Sequence, residues 1–214
     1  MVKLIPTKEE WYRALSERHG EKLQKNFESA TVAICGLGGL GSNVAIALAR
    51  AGVGYLHLID FDRVDISNLN RQQYAVSQLG MDKPVAMKQN LKAIAPYCKI
   101  TTDTVRLSED NVKEYLKDAD IICECFDKPE NKAMLVNSAM ELFPDKYVVA
   151  ASGMSGLHTA NTIKTRKITK HLYICGDGES NVEVDGTLYA SRVFCCAAHQ
   201  ANMVLRIIAG QYEV

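Results

Sequence analysis

The stretch TVAICGLGGLGSNVAIALARAGVGYLHLID, residues 31–60, decides the fold. Its first five residues are apolar and rich in β-branched side chains, the pattern of a buried strand. GLGGLGS (36–42) forms a glycine-rich turn, NVAIALARA (43–51) is made of good helix formers, and YLHLID (55–60) is a second strand. Strand, turn, helix and strand in about thirty residues make one βαβ unit.

Gly36, Gly38 and Gly41 fall in a G-x-G-x-x-G spacing, with Gly39 inside it. Glycine there lets backbone N–H groups approach a phosphate that a side chain would block. The helix that follows turns its positive end to the same point. Asp60 ends the second strand nineteen residues beyond Gly41, a placement that suits a carboxylate accepting hydrogen bonds from ribose hydroxyls. A tight strand-to-helix turn with no ligand is the competing reading; the joint register of strand, helix and acid favours a nucleotide. The motif fits NAD as well as ATP.

Downstream the alternation continues. Helices are predicted from Lys83 to about Ala95, over 111–119 and over 130–143, and strands over 99–107, 121–125 and 147–153. The last third lacks an intervening helix between HTANTIKT (158–165) and KHLYIC (170–175), which predicts an antiparallel extension. Residues 176–190 read as a mobile loop, and 191–210 as a long, mostly apolar helix ending at Gly210. Upstream, 8–29 reads as helical, part of an N-terminal arm over about 1–29, with Thr7 and Glu10 as a capping box. The expected fold is α/β: a Rossmann-like, doubly wound, mostly parallel sheet in one domain over 1–214.

Composition bounds the partners. The 214 residues are 47% apolar and 23% charged, a globular balance that excludes a disordered or fibrous chain. Lys plus Arg and Asp plus Glu are 25 each, so there is no global attraction to nucleic acid or to an acidic membrane. No apolar run approaches a membrane span, and residues 1–22 are charged throughout, without a signal-peptide core. Seven cysteines, an odd number lying mostly in apolar runs, point to buried thiols in a reducing cytoplasm.

Five residues separate ATP from NAD. Asn68, Arg71 and Gln72 lie on a polar loop just beyond Asp60, Lys83 lies twelve residues past Arg71, and Asp127 follows the fourth strand. Two cations and a carboxylate on the rim where open α/β sheets bind ligands suit a triphosphate with magnesium. Taken singly, each has a bland reading: a solvated loop cation, or a turn or helix-cap acid.

GLGGLGS, LIDFDRVDISNLNRQ, the segment from Gly80 to Lys83, and ECFD together resemble the ThiF/MoeB family, bacterial relatives of ubiquitin-activating enzymes. The resemblance runs from about Arg18 to the final helix. The chain's short length and its AAHQANMVLR ending look closest to compact ThiF-like adenylyltransferases of the sulfur carrier protein ThiS in thiamine biosynthesis. The resemblance implies that ATP binds at the glycine loop, where the C-terminal glycine carboxylate of a ubiquitin-like sulfur carrier ending in Gly-Gly attacks the α-phosphate and pyrophosphate leaves. It implies nucleotide contacts from Gly36, Gly38, Gly39, Gly41, Asp60, Asp62, Asn68, Arg71, Gln72 and Lys83. Asp127 would coordinate Mg2+; Arg71, Lys83 and Asp127 would be catalytic. It also implies a homodimer in which an N-terminal arginine, Arg18 or behind it Arg13, acts on the other subunit's site. The alternative for Arg18 is an ordinary surface charge.

The chain departs from the family in two respects. It has no CxxC pair, so no structural zinc is expected. The loop 176–190 contains no cysteine to carry a covalent intermediate; Cys175, at its start, reads as a buried strand thiol with nothing cationic beside it in sequence to lower its pKa. Met154, Leu157 and Tyr173 are candidates for a patch that grips the carrier. His57 and His199 read as structural. Three competing functions stay open: a molybdopterin-synthase-type carrier or a tRNA nucleoside carboxylate as acceptor, an NAD-dependent oxidoreductase, and a non-catalytic scaffold.

Overall fold

A computed structural model describes residues 5–214; positions 1–4 of the expected N-terminal arm lie outside the described residues. The arm is two helices, α1 (Lys8–His19) and α2 (Glu21–Ser29), where the sequence reads as helical throughout. Gly20, at φ 91°, breaks the run: its N–H closes α1 onto the Ser16 carbonyl. Thr7 and Glu10 form the expected capping box.

The elements then run β1 (Thr31–Cys35), α3 (Gly39–Ala51), β2 (Tyr55–Ile59), α4 (Lys83–Ile94), β3 (Lys99–Asp103), α5 (Val112–Leu116), β4 (Ile121–Glu124), α6 (Pro129–Leu142) and β5 (Tyr147–Ala151). After them come β6 (Lys164–Lys167), β7 (Leu172–Gly176), α7 (Val182–Asp185) and α8 (Ala190–Ile208). One seven-stranded sheet has the order β3-β2-β1-β4-β5-β7-β6. The α/β, mostly parallel, doubly wound expectation holds. The antiparallel extension is a single pair: β6 runs against β7, whereas β7 itself lies parallel to β5. Strand pairing starts only at Lys164, because Thr159 caps a short 3₁₀ turn over 160–162.

Alternation along the strands builds two cores. Val32 and Ile34 of β1, Cys123 of β4 and Val149 of β5 face α3, α4 and α8. Ala33, Cys35, Ile122 and Val148 face α5 and α6. Each core position is fully buried, worth about 1.5–3 kcal/mol for a Val or Ile side chain. The edge strand β6 reads KTRK, and charge on an edge strand discourages pairing with another chain.

Residues 176–190 are not a structureless loop. Gly178 and Asp177 donate to the Ser152 and Gly153 carbonyls, and Asn181 caps α7. The expected carrier-gripping patch does not form: Tyr173 and Met154 are buried, and Leu157 alone of the three is exposed.

Candidate functional site

The order β2-β1-β4 brings three strand ends together where the sheet reverses direction. Ligands of open α/β sheets bind outside such ends. The glycine loop leaves β1, Asp60 follows β2, and Asp127 follows β4.

The glycines have separate jobs. A Cβ on Gly41 would sit 1.8 Å from the Gly36 carbonyl oxygen, so Gly41 lets α3 pack against the loop. A Cβ on Gly39 would sit 2.8 Å from Val193 of α8. At Gly38 the nearest atom to such a Cβ is Gln72 Nε2, at 3.7 Å, and the first turn of α3 has no side-chain cap. Open space beside uncapped helix amides is the form of an anion cradle.

Asp60 is buried and holds that loop. Its Oδ2 accepts from the Leu37 amide at 2.5 Å and its Oδ1 from the Asp62 amide at 2.8 Å. Burial pushes its pKa up; the charge of Lys83 and the two amides pull it back in part. Tyr74 donates to the Leu37 carbonyl at 2.8 Å and closes the loop from the other side.

The polar loop folds onto α3. Asn68 accepts from the Asp65 amide through Oδ1, and its carbonyl receives the Gln72 amide, so Asn68 shapes the turn. Arg71 donates to Ser67 O and Asn70 Oδ1, while its Nε is buried with no partner. Gln72 is buried beside Gly38 with Oε1 unpartnered. Buried polar atoms ordinarily find partners, so two orphans beside the glycine loop fit a polar ligand. Lys83, buried at the start of α4, donates to Asp62 Oδ2 at 2.9 Å.

Asp127 is exposed and, among the described residues, makes no hydrogen bond or ion pair. It is not the cap of α6, since Lys128 holds that position. One exposed, unpartnered carboxylate is an oxygen donor of the kind that Mg2+ takes together with phosphate oxygens.

Arg13 and Arg18 are exposed on α1. Their arm packs at the opposite end of the strands, against the turn before β2: Gly54 donates to Phe27 O, and Gln24 to Gly52 O. Within one chain they are not brought to the other site residues.

Matching against family models pairs residues 12–214 with the ThiF family. The chain belongs to the ThiF family. Among curated relatives, the adenylyltransferase and sulfurtransferase UBA4 of Eremothecium gossypii is 38% identical over 141 residues, covering 65% of this chain and 31% of UBA4. The tRNA threonylcarbamoyladenosine dehydratase of Escherichia coli is 35% identical over 120 residues, covering 55% of this chain and 45% of that one. The chain thus spans less than half the length of either relative. A solved structure of the E. coli dehydratase TcdA in complex with ATP superimposes with a TM-score of 0.84 at 23% identity and covers 98% of both chains, a likeness of fold.

Several features of this ThiF-family site carry no sequence motif. Asn43 donates to the Gly39 carbonyl, and Gln73 to Asn43 Oδ1, tying the polar loop to α3. Arg192, buried in the first turn of α8 next to Val193, pairs with Asp177 at 2.5 Å and donates to the carbonyls of His158 and Thr159. Its partners His158, Thr159 and Asp177 line a cavity of about 430 Å³ whose walls include Glu179, Ser180 and Asp185. Burial pushes the Asp177 carboxyl up, but the amides of Glu179 and Ser180 and the charge of Arg192 outweigh it, and its pKa is lowered. Only the polar residues inside NRQQY hinted at any of this.

Cys175 is fully buried, its thiol pushed up to about 11 by burial, which disfavours a nucleophilic thiolate. His57 bonds Asp103 at 2.6 Å and His199 bonds Thr165 at 3.0 Å, each as a bridge between elements. Among the described residues no group of three or more His, Cys, Asp or Glu is placed to hold a metal, and no helix is long and apolar enough to cross a membrane.

Proposed function

We propose that this chain is an ATP-dependent adenylyltransferase that activates the C-terminal glycine carboxylate of a ubiquitin-like sulfur carrier, ThiS-like and serving thiazole assembly in thiamine biosynthesis. The observation that carries the reading is the convergence of the open Gly38 cradle, the unpartnered Arg71 Nε and Gln72 Oε1, buried Lys83 and free Asp127 at one reversal point of the sheet. An oxidoreductase reading leaves Arg71, Lys83 and Asp127 without a role.

The chemistry needs no general base. A carboxylate is already ionised; one of its oxygens bonds to the α-phosphorus as the bond to the pyrophosphate oxygen breaks. The barrier is repulsion between anions and charge gathering on the leaving pyrophosphate. Arg71 and Lys83 face that charge, and positioning supplies much of the remainder. Asp127 would hold Mg2+, which supplies charge neutralisation when bound. Asp60 keeps the Leu37 amide turned into the loop and has lone pairs left for ribose hydroxyls.

The cavity's Asp177, His158 and Thr159 are held by Arg192 at the start of α8, next to Val193, which comes close to the glycine loop, and we assign the cavity to the carrier's tail. Its lining carries Asp177, Glu179 and Asp185 and no Lys or Arg. That balance opposes a polyanion and favours a protein tail over an RNA acceptor. A second copy of the chain would supply Arg18, since this copy's Arg18 lies at the far end of the strands. Seven free thiols suit work in the cytoplasm. ATP–pyrophosphate exchange tests the reading: it should require both Mg2+ and a carrier ending in Gly-Gly, with ThiS-like carriers preferred to molybdopterin-type ones.

A further inference from the structure

The turn after β4 carries Asp127, and two residues outside the proposed chemistry set its shape. Glu124, the last residue of β4, is 1% exposed. Its Oε1 accepts the Phe126 amide at 2.6 Å, so the side chain folds back onto the backbone of that turn. Lys132, in the first turns of α6, donates to both Glu124 carboxylate oxygens at 3.1 Å and to the Ala151 carbonyl at 3.0 Å. Gln200 of α8 donates to the carbonyls of Glu124 and Val149. The Cys125 carbonyl lies against the glycine loop, 2.8 Å from where a Gly36 Cβ would stand. The turn is thus clamped from α6, α8, the end of β5 and the glycine loop, with Asp127 at its exposed tip.

A buried carboxylate–ammonium pair is a poor device for stability alone. Desolvation of both ions offsets most of their attraction, and apolar residues of similar volume often serve as well. What an apolar pair lacks is an acceptor for the Phe126 amide, one residue before Asp127.

We propose that Glu124 and Lys132 are positioning residues for Asp127: they fix the turn so that its carboxylate meets the cation of a bound metal–nucleotide complex without rearranging. The proposal rests on the nucleotide-site reading above. Neither residue touches the nucleotide; both act through the Phe126 amide and the backbone it belongs to.

The test is calorimetric titration of the full chain with ATP across a series of Mg2+ concentrations, with thermal unfolding recorded for each variant. Glu124→Met/Lys132→Met removes both charges together and leaves no lone buried ion. It is expected to fold and to bind metal-free ATP within about two-fold of the parent, while the Mg2+ concentration for half of the metal-linked tightening rises about ten-fold. Lys132→Arg, which keeps a cation, should stay within about two-fold of the parent. A double variant with the parent's Mg2+ dependence overturns the proposal. Should that variant fail to fold, Glu124→Gln carries the test: it keeps an acceptor but loses the ion pair, and a rise of about three-fold is expected, with an unchanged value overturning the proposal. A parent that binds no ATP overturns the site reading and this inference together. A parent that binds ATP with Mg2+ linkage, matched by its variants, overturns the inference alone.

Discussion

Lys83 and Asp62 form a closed pair beside Asp60, with Nζ 2.9 Å from Oδ2. The lysine side chain is 6% exposed and the aspartate 48%. The pair is therefore a buried cation held by a half-exposed partner, which leaves the cation in place for the phosphate of the proposed reaction. Lys83→Met keeps the stem and removes the charge. Pyrophosphate exchange should fall about 10²–10³-fold, the usual loss of one preorganised charge donor. Urea unfolding should show a loss of about 1–3 kcal/mol, because buried Asp60 also loses the charge that offsets its burial, although the deserted Asp62 is half in water. An exchange rate within a few-fold of the parent would remove Lys83 from the chemistry.

Gly38 and Gly41 belong to one motif but should fail differently. Gly41→Ala drives a methyl into the Gly36 carbonyl at 1.8 Å and should not give folded protein. Gly38→Ala meets nothing closer than 3.7 Å and should fold, while the methyl stands where the phosphate approaches. Circular dichroism and ATP titration on the two variants separate them. Gly38→Ala with the parent's ATP affinity would contradict the cradle.

The parts of this molecule legible in sequence are those built by local rules. An apolar, β-branched run, the glycine spacing and a stretch of good helix formers located β1, α3 and β2, and the polar run after Asp60 pointed to Asn68, Arg71 and Gln72. Gly20 was missed as a break because charged helix formers flank it on both sides, and only its φ of 91° reveals the turn. The parallel placement of β7 beside β5 could not be read, since strand order is settled by which face α8 covers. The Arg192–Asp177 pair and the Glu124–Lys132 clamp join residues from separate elements with no spacing rule between them. Tyr173 failed as a surface residue because its ring is packed inside while its hydroxyl reaches the Tyr212 carbonyl.

Thiol chemistry gives a separate check on the covalent alternative. Six of the seven cysteines are buried, and Cys195 is partly exposed. Iodoacetamide at neutral pH should modify one thiol in the native protein, and Cys195→Ser should abolish that reaction. Cys175→Ala should leave carrier-dependent exchange unchanged. A reducible adduct between the chain and the carrier, lost in Cys175→Ala, would contradict this account.

Arg18 can be assigned by mixing. Arg18→Ala and Asp127→Ala should each abolish exchange alone. A reassociated mixture should recover about a quarter of the parent rate, because half the dimers are mixed and each rebuilds one complete site. No recovery, with mixed dimers demonstrated, would show that Arg18 does not act across the dimer.

The central claim is that an acyl adenylate forms on a protein tail. ATP–pyrophosphate exchange, run with Mg2+ and with or without a small carrier ending in Gly-Gly, measures that step directly. Exchange is predicted only when the carrier is present and its terminal glycine is intact. Measurable ATP binding with no exchange for any such carrier, or exchange supported by tRNA instead, would contradict it.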